Sequence, residues 1–82
     1  TVRAYGNEVC YLRDVPLHHS QVEIKTTKEY SDFVIYIYPT RDFTGHVIHQ
    51  EDRLEILKPQ WLRDYMIEKY KNGLRRYGII DV

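Results

Sequence analysis

Hydrophobic and polar positions change period several times along this chain, and each change marks an element. Val2-Arg3-Ala4-Tyr5 alternates, the period-2 pattern of a strand with one wet face. Gly6-Asn7 ends it, and Asn7 is placed to cap a short helix carrying Val9, Cys10 and Leu12 that closes before Pro16. Gln21 to Thr26 alternates again, Val22 and Ile24 against Glu23 and Lys25. Polar Thr27-Lys28-Glu29 reads as a turn. Asp32 to Tyr38 is a β-branched and aromatic run closed by Pro39, so the two segments predict a hairpin. Thr40 and Asp42 are alternative N-caps for a helix holding Phe43, Val47 and Ile48, after which Gln50-Glu51-Asp52 breaks to a strand over Arg53 to Leu57 that Pro59 stops. From Gln60 onward Leu62, Met66, Tyr70, Leu74 and Tyr77 recur at spacings of four and three. That stripe predicts a helix packed along one side, with Gly78 in the C′ position.

The resulting order is β-α-β-β-α-β followed by a helix. Split βαβ order of this kind predicts an α+β fold of the ferredoxin-like type, a four-stranded antiparallel sheet with two helices on one face and an added C-terminal helix. One domain is expected over residues 1–82, with the split βαβ core in 1–58 and the appended helix in 59–78. Period-2 alternation points Ala4, Val22, Ile24, Leu54 and Ile56 at the helices and leaves Arg3, Tyr5, Glu23, Lys25, Glu55 and Leu57 on the other face. The strand through Asp32–Tyr38 would add Phe33, Ile35 and Ile37 to one side and Val34, Tyr36 and Tyr38 to the other. An exposed apolar and aromatic strip marks a contact, whether with the last helix, another domain, a second subunit or a ligand.

Composition narrows the function classes. Eighty-two residues make one small domain and bury only roughly 60% of the unfolded surface. Twelve basic and twelve acidic residues cancel, so the positive field of a free-standing duplex-DNA binder is missing. The single cysteine, Cys10, excludes an internal disulfide and fits a reducing cytoplasm. The longest apolar stretch, Phe33 to Tyr38, falls far short of the roughly 20 residues of a membrane helix, and the chain opens without a basic, apolar leader. The expectation is a soluble, cytoplasmic protein with no membrane partner. Because Thr1 leads straight into a strand pattern, the chain reads as a fragment of a longer protein.

Three stretches carry a family resemblance: Pro16-Leu17-His18-His19-Ser20-Gln21, Tyr38-Pro39-Thr40-Arg41-Asp42-Phe43 and Leu54-Glu55-Ile56-Leu57-Lys58-Pro59-Gln60-Trp61-Leu62-Arg63. In that order they resemble the C-terminal extension (WCX) of bacterial WYL-domain transcriptional regulators, nearly end to end. The resemblance implies a parent with a winged helix-turn-helix and a WYL domain of Sm-like fold. It also implies homodimerisation, DNA binding through the parent only, and an effector that is nucleic acid or a small molecule. Members often carry glycine in the turn before the final strand, where this chain has Gln50-Glu51-Asp52; that turn is expected to lack a positive-φ residue or to use another geometry.

Candidate chemistry is thin. His18-His19-Ser20 could be half of a Ser-His site, but adjacent residues on an extended segment point apart and no nucleophile elbow accompanies them. His46 and His49, at i and i+3, could share a metal only with two further ligands from elsewhere, such as His18 or Asp52. Lys69, Lys71, Arg75 and Arg76 read as the wet side of an amphipathic helix that also carries Asp64 and Glu68. No catalytic residue, metal or cofactor is therefore assigned. The residues expected to bind a partner or ligand are Tyr36 and Tyr38 on the outer sheet face, Arg41 and His18 beside it, and Trp61, Tyr65 and Tyr70 on the last helix. The alternative is a single-stranded nucleic-acid module like an RNA recognition motif, stacking bases on Tyr5, Tyr36 and Tyr38; against it, the Lys/Arg-Gly-aromatic entrance of that signature is missing and Asp32 sits near its place.

Overall fold

A computed structural model describes residues 1–81. Strand β1 (Val2–Tyr5) is antiparallel to β3 (Tyr30–Val34), with Val2 opposite Phe33 and Tyr5 opposite Tyr30. Its other edge is antiparallel to β4 (Leu54–Ile56), with Val2 opposite Ile56 and Ala4 opposite Leu54. Strand β2 (Val22–Thr26) pairs with β3 at the far edge, giving the order β2-β3-β1-β4. Three helices complete an α+β fold: α1 (Asn7–Asp14), α2 (Arg41–His49) and α3 (Gln60–Arg76). The core joins one face of the sheet, through Val2, Ala4, Phe33, Leu54 and Ile56, to Leu12 of α1, Val47 of α2 and Leu62 and Met66 of α3.

Local chemistry sets most boundaries. Gly6, not Asn7, occupies the N-cap of α1, at φ 58°, a backbone region that glycine enters without a Cβ penalty. Asn7 is the first helical residue instead. Thr40 caps α2, its hydroxyl accepting from Phe43 N at 3.4 Å. Thr27 closes the β2–β3 turn, where its hydroxyl accepts from the amides of Glu29 and Tyr30. At the end of α3, Gly78 N donates to Arg75 O and Ile79 N to Leu74 O, both at 3.0 Å, with Gly78 at φ 91°. This is a Schellman cap, and it places Gly78 at C′ as the sequence pattern implies.

Four expectations need correction. The turn before β4 does contain a positive-φ residue: Glu51 sits at φ 60° within a single 3₁₀ turn, Glu51–Arg53. Strand β3 spans Tyr30–Val34, not Asp32–Tyr38, because β1 begins opposite Phe33 and β2 opposite Val34. Beyond Val34 no neighbouring strand offers a ladder, whatever the β propensity of Ile35 to Tyr38. In β2 an irregularity between Glu23 and Lys25 leaves Ile24 unpaired, and every residue of the strand is exposed; Val22 and Ile24, expected in the core, are each 57% exposed. Glu23 faces the helix side, where Arg13 of α1 grips its carboxylate at 2.7 and 2.9 Å. Lastly, only the first half of the α3 stripe is buried. Leu62 and Met66 are in the core, Tyr70 and Leu74 are partly exposed, and Tyr77 is open to solvent.

Leu12 has no exposed surface, so Leu12→Ala is expected to cost about 2–5 kcal/mol in urea unfolding, whereas Ile24→Thr should stay within about 0.5 kcal/mol. Glu51→Gly is expected to be neutral or to stabilise by up to about 1 kcal/mol, and Glu51→Val to destabilise, since a β-branched residue tolerates positive φ worst. Paired urea titrations of the two Glu51 variants check this directly.

Candidate functional site

The outer face of the sheet carries an ionic lattice. Arg3 Nε and Nη2 donate to the two carboxylate oxygens of Asp32 at 2.8 and 3.1 Å, a bidentate fork. The same guanidinium lies 3.8 Å from the ring centre of Tyr30. On the other side of β1, the Tyr5 hydroxyl donates to Glu55, and Arg63 Nη1 donates to the second Glu55 oxygen at 2.7 Å and to Ile56 O at 2.9 Å. Charge therefore runs from β3 through β1 and β4 to α3. This face is not the aromatic strip expected of Val34, Tyr36 and Tyr38. Tyr36 and Tyr38 are 76% and 85% exposed, past the end of the ladder.

Titration follows from these contacts. The hydrogen bonds from Arg3 hold the Asp32 carboxyl below the usual range, against the opposing effect of burial. Burial raises Glu55, but the hydrogen bonds from Tyr5 and Arg63 outweigh it and its net shift is downward. The Tyr5 phenol is pushed up chiefly because it donates to that carboxylate.

The seven residues anticipated as binding residues fall in four places. Arg41, Trp61 and Tyr65 come together in an open groove of about 650 Å3 between α2 and α3. Trp61 is 61% exposed there, and Lys69 Nζ stands 5.2 Å from the centre of the Tyr65 ring. Tyr70 lies in a different groove, of about 560 Å3, with Tyr5, Met66 and Ile67 and the carboxylates of Glu51, Asp52 and Glu55. His18 is in the α1–β2 connection, its Nδ1 2.8 Å from Ser20 Oγ and its ring centre 4.0 Å from that of His19, the two rings tilted by 34°. Ser20 Oγ also accepts from Tyr36 N at 2.8 Å and donates to Tyr36 O at 3.3 Å. This hydroxyl thus does for Tyr36 what a neighbouring strand would have done, which fixes the path of the segment after β3. Tyr38 stands apart from all of these.

Sequence reasoning missed two cations beside Trp61, Lys69 in the groove and Lys58 at a neighbouring pit. Lys69 had been grouped with the wet side of α3, yet Trp61, Tyr65 and Lys69 follow one another at i, i+4 and i+8, so they share a face by helix geometry alone. Lys58 borders a smaller apolar pit of about 140 Å3 on the other side of Trp61. Among the described residues, no cluster of three or more His, Cys, Asp or Glu side chains is arranged to hold a metal ion, and no helix is long and apolar enough to cross a membrane.

Asp32 and Glu55 both titrate lower in the folded chain, so their contribution to stability is complete above the ordinary carboxylate range, about 4, and is lost as pH falls through their depressed values. Urea midpoints measured from neutral to acid pH are expected to fall on that branch. Asp32→Asn should flatten the fall and lower the neutral-pH plateau; an unchanged acid branch would show that the Arg3–Asp32 fork is not coupled to folding. Comparison with known protein families, with curated proteins and with solved structures gave no match.

Proposed function

We propose that this chain is a non-catalytic, ferredoxin-like contact domain of a WYL-type bacterial transcription regulator. In this reading it works in the cytoplasm, joins the WYL domain of its parent to a second subunit, and moves when an effector, nucleic acid or small molecule, is bound. DNA is read elsewhere in the parent. The observation that carries the contact role is α3: its apolar stripe is buried at Leu62 and Met66 and then continues through partly exposed Tyr70 and Leu74 to exposed Tyr77. A helix that runs its hydrophobic face past its own core offers that face to something else. The split β-α-β-β-α-β order and the strand order β2-β3-β1-β4 support the ferredoxin-like assignment.

Stacking of single strands on the sheet draws less support, because Tyr5 and Tyr30 are engaged with Glu55 and Arg3 and the other two tyrosines lie beyond the ladder. Ser20, the one nucleophile beside a histidine in the first motif, already bonds the backbone of Tyr36.

Sedimentation of the domain at rising concentration is expected to show reversible self-association that Leu74→Glu abolishes without changing the circular dichroism spectrum. A strictly monomeric domain at high micromolar concentration would rule out association through this piece. The family assignment has its own test: the coding sequence immediately upstream should encode a winged helix and a WYL core, and an unrelated domain there would refute it.

A further inference from the structure

Charge is distributed unequally on the two sides of α3. The groove holding Tyr70 is bordered by three carboxylates, those of Glu51, Asp52 and Glu55, and by Arg63, whose charge is spent on Glu55. On the opposite side, the α2/α3 groove and the neighbouring pit are bordered by Arg41, Lys69 and Lys58 and by no carboxylate, although the chain has as many acidic as basic residues. None of these three cations forms an ion pair among the described residues. A run of cations without counter-ions beside an exposed aromatic ring favours an anionic occupant.

The pit decides what kind. Trp61 lines both the pit and the groove, and the lining of the pit includes Ile35, Ile37, Phe43 and Ile56. At about 140 Å3 it is close to the size of apolar cavity, about 150 Å3, that takes a benzene ring. Polar side-chain groups border it only at Thr1, Lys58 and the Trp61 indole, against eight apolar residues, so a nucleobase inserted there would leave most of its polar edges unpaired. An aromatic or branched amino-acid side chain would lose nothing.

We propose that the Trp61 groove docks an acidic segment of a partner protein. One aromatic or branched side chain fills the pit against Trp61, with carboxylates before and after it meeting Lys58 on one side and Arg41 and Lys69 on the other. The inference rests on the reading of this chain as a contact domain, but on neither its family nor its self-association, which would use the other side of α3.

Trp61 is the only tryptophan in the chain, so its emission reports occupancy directly. The probe is a short synthetic peptide with one Phe between Asp-Glu pairs, titrated into the domain beside three controls: the same peptide with Asn-Gln pairs, the same peptide with Ser for Phe, and adenosine monophosphate. A saturable change in emission is expected with the acidic Phe peptide, weakening as salt is raised. Binding should be at least about 10-fold weaker for either altered peptide and for the exposed-site double variant Arg41→Glu, Lys69→Glu. Circular dichroism establishes that this variant is folded. The proposal is overturned by the absence of a saturable response to the acidic peptide, by equal binding of the Asn-Gln peptide, or by tighter binding of the nucleotide. A monomeric domain that binds the peptide would defeat self-association and leave this site standing; a dimer indifferent to the peptide would do the reverse.

Discussion

β1 is four residues long and hydrogen-bonded along both edges, and its length limits everything built on it. Val2 is the first ladder residue of β1, opposite both Phe33 and Ile56; β3 goes one residue further, with Val34 against Val22, and β4 stops at Ile56. Unpaired backbone must find its bonds elsewhere. After β3 it finds Ser20 Oγ; after β4, the amide of Leu57 donates to Thr1 O at 2.9 Å. Where the sheet stops, the chain changes role: Ile35 and Ile37 become the wall of a pit, and Tyr36 and Tyr38 turn to solvent.

Ala4 and Leu12 illustrate the same economy in the core. Both are wholly buried, Ala4 on a strand paired along both edges and Leu12 on the first helix, in one cluster that joins sheet and helices with few residues. The opposite face is held by pairs: the Arg3–Asp32 fork, and Tyr5, Glu55 and Arg63 in sequence. Asp32 has little exposed surface, and the two hydrogen bonds from Arg3 do most to favour its charged form against that burial. Arg63 also ties α3 to the edge of β4, so the appended helix is fixed in place by the same lattice.

Balanced total charge conceals separation. One side of α3 gathers carboxylates and the other gathers cations, with buried Leu62 and Met66 anchoring the helix between them. A neutral composition excludes a strong overall field but says nothing about a local one, because the sum discards position. Separation of this kind gives one short helix two different surfaces: an apolar stripe with an acidic border and an aromatic groove with a basic border.

How much of this was legible depends on the range of the forces involved. Element order, the Thr40 cap, the Thr27 turn, the Gly78 terminus and the α3 helix were readable because each is decided within a few neighbouring residues. So was the inward face of β1 and β4. The meeting of Arg41, Trp61 and Tyr65 in one groove was not, since two elements supply them and their crossing depends on packing. Nor could the pattern show that β3 ends at Val34, that β2 slips at Ile24, or that Glu51 takes positive φ, because ladder partners and chain closure are nonlocal. By itself the sequence determined the elements and the α+β class; tertiary structure alone decided where the ladders stop and which charges share a surface, since residues distant along the chain meet only after the sheet has set its register.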